Sequence, residues 1–222
     1  AKHAESCHAD AVMVNPPLST VLDDKEVFRH YCSVLESTEI PLIVQDASGY
    51  VGRPLSLDVQ SRLLKEFGER VYFKPEAIPI GPRLSLFLEV TDGKARVLEG
   101  SGGAALVDTF QRGIVGTMPG ADTTWILVAL WRALQAGDWD SINMINGPLV
   151  NLLNLEHSLD AYLAVEKYLL VKQKVFINEF IREPVGYRLD SQTRKEIDRL
   201  FGLLYSAVFK KSVPFERKNG KS

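Results

Sequence analysis

"RVYFKPEA", residues 70–77, sets three apolar residues, Val71, Tyr72 and Phe73, directly before a lysine, a proline and a glutamate. A β-branched residue followed by two aromatics favours a strand. Pro75 biases the residue before it toward an extended conformation and cannot donate to a ladder, so the strand ends at Lys-Pro-Glu. Side chains alternate across a strand, which sets Lys74 and Glu76 on one face and Phe73 and Pro75 on the other. Lys74 then stands at the C-terminal end of its strand, where α/β sheets and barrels collect their chemistry. Two readings of the pair are open. One is a solvated strand-end lysine paired with Glu76. The other is a lysine drawn into an apolar mouth, where burial favours the neutral amine that attacks a carbonyl to form a Schiff base.

Outward from this strand the pattern repeats. Short apolar runs recur at 10–17 ("DAVMVNPP"), 40–47 ("IPLIVQDA"), 95–103 ("ARVLEGSGG") and 113–120 ("GIVGTMPG"). Helix-period stretches lie between them. The stretch 24–37 puts Val27, Tyr31 and Val34/Leu35 on one face, and 56–68 opens on Ser56 and closes on Gly68. The stretches 80–93 and 103–113 also end on glycine. Strands alternating with helices predict an α/β fold of parallel βαβ units, and both a barrel and a doubly wound sheet fit. After "GTMPG" the pattern is helical only, at 121–136, about 139–155, 158–180 and 191–208, the last capped by Asp190-Ser191. The segment 210–222 is polar.

Composition bounds the function. The chain has 222 residues, 45% hydrophobic and 24% charged, with a net charge of -2. No bulk electrostatic attraction to nucleic acid or membrane is expected. No apolar run reaches the ~18 residues of a membrane span, and no signal peptide is visible. Cys7 and Cys32 show no paired spacing, which fits two free thiols in a reducing, cytoplasmic setting. His3, His8, His30 and His157 have no metal-ligand spacing, so neither a metal nor a cofactor is expected. "GSGG" (100–103) lacks the frame of a phosphate loop, and a carbonyl or carboxylate contact is favoured there. Asp46, in "DASG", reads as a turn cap before it reads as a second site carboxylate. Trp125, Trp131 and Trp139 fit helix packing, and "KYLLVKQKVF" (167–176) a solvated helix face.

The order of motifs, "ADAVMVNPP", "IPLIVQDASGYVG", "RVYFKPEA" and "VLEGSGGAALVDTFQRGIVGTMPG", resembles the dihydrodipicolinate synthase / N-acetylneuraminate lyase family. The similarity covers roughly residues 1–155, and the rest by helical pattern. It implies a (β/α)8 TIM barrel with extra C-terminal helices, and class I, Schiff-base chemistry on 2-oxo acids. "FKPEA" then carries the Schiff-base lysine at Lys74, "EGSGG" the family's turn glycine at Gly100, and "GIVGTMPG" sets Val115 near the substrate. By this match residues 10–15 form the fourth barrel strand, and the first three β/α units are not in the chain. The implied domains are 1–136 for the C-terminal part of the barrel (strands 4 to 8), 137–209 for a helical extension and 210–222 for the tail.

The departures are informative. Gln45 stands where the family carries a tyrosine proton shuttle, and Tyr50 where synthase members carry an arginine for a second carboxylate. Pro17 and Leu18 replace an aromatic pair. Dihydrodipicolinate synthesis is disfavoured. A glutamine at that position, with a glutamate two residues after the lysine, resembles the sugar-acid dehydratase branch, with L-2-keto-3-deoxyarabonate as the nearest substrate. Lys74, Glu76 and Gln45 are then the catalytic residues, and Gly100, Val115 and Tyr50 the substrate-binding ones. The alternatives are a retro-aldolase releasing pyruvate and a degenerate, non-catalytic member. The resemblance also implies a homo-oligomer, most simply a tetramer. The apolar content of the helical third (Leu152, Leu153, Leu155, Tyr162, Leu169, Leu170) points the same way.

Overall fold

A computed structural model describes residues 1–18, 20–48 and 53–209. Its first part runs α1 (Lys2–Ser6), β1 (Val12–Val14), α2 (Asp24–Leu35), β2 (Leu42–Asp46), α3 (Leu57–Phe67), a 3-10 turn (Gly68–Arg70), β3 (Val71–Pro75), α4 (Ile80–Val90), β4 (Arg96–Glu99), α5 (Leu106–Arg112) and β5 (Gly116–Thr117). The strands pair in parallel in the order β1-β2-β3-β4-β5. A doubly wound sheet reverses its strand order at a switch point, and this order has no reversal. Crossovers of one hand between successive neighbours set the helices on one face, as in a barrel wall. Of the two architectures open from sequence, the barrel type is the one observed.

The two faces of the sheet differ in burial. Leu42, Val44, Val71, Phe73 and Val97 are buried together with Tyr31, Leu35, Val59, Leu63 and Phe87 from the helices. The rings of Phe73 and Phe87 meet edge-on with centroids 4.8 Å apart. Residues of opposite parity, Ile43, Gln45, Tyr72, Arg96 and Leu98, are only partly covered. The local signals act as read: Ser56 Oγ accepts from the Val59 amide at 3.2 Å, and Gly68 ends α3 at φ 56°. Helix α1 has no counterpart in the sequence reading.

Contacts divide the chain into two units, Ala1–Ser101 with Asp108–Met118, and Gly102–Val107 with the residues from Pro119 onward. The second holds α6 (Thr124–Ala136), α7 (Trp139–Leu153), α8 (Leu159–Lys172) and α9 (Ser191–Phe209). Helix α6, read with the barrel part, groups here with the later helices. Ile126, Leu130, Ile142, Leu149, Leu169, Leu200 and Leu204 form the interior of this unit. Leu152, Leu169 and Leu170 are buried within it and so supply no free surface for a partner. The Trp125 ring packs on Phe201 and Phe209, as expected of a packing residue, whereas Trp139 is 51% exposed.

Helix α8 stops at Lys172, eight residues short of the predicted end at 180. The apolar period continues through "VKQKVF", but Lys174 takes a left-handed φ of 61°, and the amides of Val175 and Phe176 turn back to the Leu170 carbonyl. The expected solvated face of this segment carries polar contacts. Lys172 pairs with Asp198 of α9, Tyr168 donates to the same carboxylate at 2.8 Å, and Lys167 donates to the Phe180 carbonyl at 2.7 Å.

The helical unit also gathers acids that look like surface residues in sequence. Asp122 is 1% exposed, and its Oδ2 has no hydrogen-bond partner. Burial, with the Glu166 carboxylate nearby, pushes Asp122 up to about 7. Burial, with Asp122 and Glu166, pushes Glu156 up to about 9, and burial first, then Glu166 and Asp122, raises the Tyr162 phenol. Folded, Asp122 and Glu156 hold their protons up to about pH 7 and about pH 9, yet they ionise near their ordinary values of 3.8 and 4.5 when unfolded. Their stabilisation is full below about pH 4 and is lost as pH rises through about 7 and about 9. Thermal melts should show the midpoint falling from pH 5 to pH 9, and Asp122→Asn with Glu156→Gln should flatten that fall. An unchanged slope in the double variant would refute the assignment.

Candidate active site

Strand parity brings three polar side chains to one place. Gln45 of β2 pairs in register with Lys74 of β3, so both project from the partly covered face. Glu76 follows two residues later, and its amide donates to the Asp46 carbonyl at 3.0 Å, which continues the β2–β3 pairing past Pro75. Lys74 Nζ lies 3.0 Å from Glu76 Oε1, and the Gln45 side-chain amide donates to that same oxygen at 2.9 Å. Lys74 is 9% exposed and Glu76 6%. The solvated-lysine reading is thus set aside: the pair exists, but it is buried. Burying two charges is costly, and only their mutual attraction and further hydrogen bonds offset it. That offset is incomplete here, since Glu76 Oε2 is buried with no hydrogen-bond partner.

Gly100 closes the other side, directly after β4. A Cβ at this position would sit 2.9 Å from Lys74 Cγ, 3.0 Å from Glu76 Cγ and 3.1 Å from Lys74 Cε. The residue must therefore lack a side chain for the lysine and glutamate stems to pass. Gly100→Ala should slow any reaction at Lys74 on the order of tenfold, because small misplacements of a nucleophile are costly. Single-turnover kinetics at an unchanged melting temperature would measure this, and a wild-type rate would refute it.

The neighbouring carboxylates face the other way. Asp46 Oδ1 accepts from the Ser48 amide and Oδ2 from the Leu55 amide, both at 3.0 Å, which is the turn-capping role read from "DASG". Glu99, 2% exposed, was not singled out by sequence. Its Oε1 accepts from the Ser101 amide at 2.9 Å and from the Ser101 hydroxyl, and its Oε2 from Thr117 Oγ1 at 2.9 Å. Val115 lies before β5, its amide donating to the Val97 carbonyl at 2.9 Å. Its side chain is 48% exposed, and it precedes Gly116, which pairs with Leu98. Tyr50 lies outside the described residues. The structure therefore gathers Lys74, Glu76, Gln45 and Gly100, whereas Val115, one register step below the Lys74 level, has the parity of Val97 and directs its side chain to the other face. Among the described residues no cluster of His, Cys, Asp or Glu is arranged to hold a metal ion. No helix among them is long and apolar enough to cross a membrane.

No family model matches the chain. It is similar to proteins named uncharacterized DapA-like lyase. One, from Pyrococcus horikoshii, is 24% identical over 194 residues, which are 86% of this chain and 66% of that protein. Another, from Thermococcus onnurineus, is 38% identical over 66 residues, 30% of this chain and 22% of that protein. Among solved structures, a dihydrodipicolinate synthase from Rhodopseudomonas palustris superposes with a TM-score of 0.79 at 24% identity, covering 91% of this chain and 69% of the other. A sialic acid aldolase from Ruminococcus gnavus, solved as a catalytic lysine mutant, superposes at 0.76 and 14% identity, covering 94% of this chain and 68% of the other. These likenesses show the fold, and the chain spans about two thirds of the length of the solved relatives.

Proposed function

We propose, from the premise that this chain resembles the dihydrodipicolinate synthase / N-acetylneuraminate lyase family in both sequence and fold, that it carries the imine-forming strands of a class I lyase acting on a 2-oxo acid. Its five strands correspond to strands 4 to 8 of a (β/α)8 barrel, within residues 1–136. Residues 137–209 form the helical extension and 210–222 the tail. The observation that carries the reading is the buried Lys74–Glu76 contact at 3.0 Å with a second carboxylate oxygen left unpaired. A buried lysine beside a base is the arrangement that amine nucleophiles need.

The chemistry follows from this geometry. Glu76 takes a proton from the Lys74 ammonium, and the free amine attacks the substrate C2 carbonyl. The same proton returns to the carbinolamine hydroxyl, which leaves as water and gives the iminium. The iminium draws electrons from C3, and Glu76, ionised again, removes a C3 proton. The C4 hydroxyl then leaves as water with that proton, and hydrolysis of the imine frees Lys74. The net change is loss of one water from a 2-keto-3-deoxy sugar acid such as L-2-keto-3-deoxyarabonate. Gln45 holds the carboxylate by its amide and carries no charge itself, so it orients and does not transfer. Gly100 leaves room for the imine, Tyr50 contacts the substrate, and Val115, whose side chain shares the parity of Val97, meets it through its backbone. Retro-aldol release of pyruvate is the second reading, since the same iminium supports either cleavage. Cys7 and Cys32 are both free, which fits a cytoplasmic enzyme. The active form is a homotetramer, and a monomer in light scattering at micromolar concentration would exclude that.

The test of the central step uses pyruvate and borohydride. Reduction traps the imine, and the mass of the adduct on the peptide carrying Lys74 is the expected result. A folded protein that gives no adduct would leave the non-catalytic reading in its place.

A further inference from the structure

We propose that Glu99 is a positioning residue for Lys74: its buried carboxylate locks the turn after β4, so that Gly100 backs the lysine stem and aims Nζ. This rests on the reading of Lys74 as the imine-forming lysine. Glu99 has the parity of Val97, so its side chain leaves the strand on the face opposite to Lys74 and cannot touch a substrate held there. It acts on the residues around Gly100 instead. One carboxylate oxygen fixes Ser101, immediately after Gly100, through both amide and hydroxyl, and the other fixes Thr117 of β5. The Glu99 carbonyl accepts the Met118 amide at 2.9 Å and so ties the same point to the end of β5. Gly100 is held from both sides, so near the Lys74 and Glu76 stems that a Cβ there would meet them at 2.9 and 3.0 Å.

A carboxylate 2% exposed is an expensive way to shape a turn unless several donors converge on it. Here three do. Without them the backbone at 100 is free to drift away from Lys74, and the lysine gains rotamers that do not present its amine. The Lys74–Glu76 chemistry would stay intact while its geometry loosened. The predicted loss therefore falls on the rate of imine formation and not on the concentration of 2-oxo acid needed to saturate it.

The experiment measures the single-turnover rate of imine trapping with pyruvate and borohydride, as a function of pyruvate concentration, on the intact chain. Glu99→Ala should lower the limiting rate about tenfold with little change in half-saturation. Glu99→Gln should recover most of that rate. Its carbonyl still accepts from Ser101, and its amide can donate to a Thr117 hydroxyl that rotates to accept. If Glu99→Ala does not fold, Thr117→Val removes one donor from the opposite side, and a limiting rate several-fold down with unchanged half-saturation is expected. A wild-type limiting rate in a folded Glu99→Ala or Thr117→Val overturns the proposal and leaves Lys74 chemistry standing. A glutamine variant as slow as the alanine one also overturns it, because charge and not geometry would then matter. A wild-type protein that forms no adduct overturns both readings together.

Discussion

Replacing Lys74 by alanine should abolish the borohydride-trapped pyruvate adduct altogether, a loss limited only by detection. Among the described residues, the lysine amine that pairs with Glu76 is that of Lys74, and its Nζ is the atom 3.0 Å from the carboxylate. The variant also leaves the Glu76 carboxylate buried without its counter-charge, which destabilises the fold to some extent. Lys74→Met serves as the control of similar length, and circular dichroism shows which variant remains folded. An adduct of unchanged yield in a folded Lys74→Met protein would move the chemistry to another lysine.

Glu76→Gln should divide the two stages of the reaction. The amide keeps the shape of the side chain and can still meet Gln45, but it cannot accept a proton. The pyruvate imine still forms, more slowly, because water can relay the proton between the Lys74 amine and the carbinolamine in place of the carboxylate. Proton removal at C3 and departure of the C4 hydroxyl have no base, and dehydration of 2-keto-3-deoxyarabonate should fall about 100-fold or more. Gln45→Ala should fall less, since it removes only the donor that holds Oε1. A near wild-type dehydration rate in Glu76→Gln, or release of pyruvate and an aldehyde by the wild type, would favour the retro-aldol reading.

Sequence made Lys74 and Glu76 legible because a two-residue period fixes which side chains share a face, and Pro75 marks where the strand ends, whereas Gln45 was singled out through the family resemblance. The glycine at 100 was reached through the family resemblance, and its reason, the passage of two side-chain stems, needed the packing. Glu99 was invisible because a glutamate at a strand end looks like a solvated residue. Only the converging donors of Ser101 and Thr117 reveal it. The acids at 122, 156 and 166 lie far apart in the chain and meet only in the folded helical unit. The early end of α8 had no glycine or proline to announce it, and a lysine in a left-handed conformation does the work. The choice between barrel and doubly wound sheet was beyond local patterns, because it depends on which strands become neighbours.

The lysine and glutamate of the proposed site lie on one extended stretch of backbone, Lys74 in β3 and Glu76 just past its end, with a single proline between them. Their spacing is therefore a property of the backbone repeat and not of any hinge. No loop closure is needed to bring one to the other, and no loop motion can separate them. Warming that loosens the surface turns leaves this spacing intact, so under the proposed mechanism activity should persist until the sheet itself comes apart. The onset of inactivation and the onset of sheet melting then coincide, and adaptation to a new temperature falls on the strand pairing between β2 and β3.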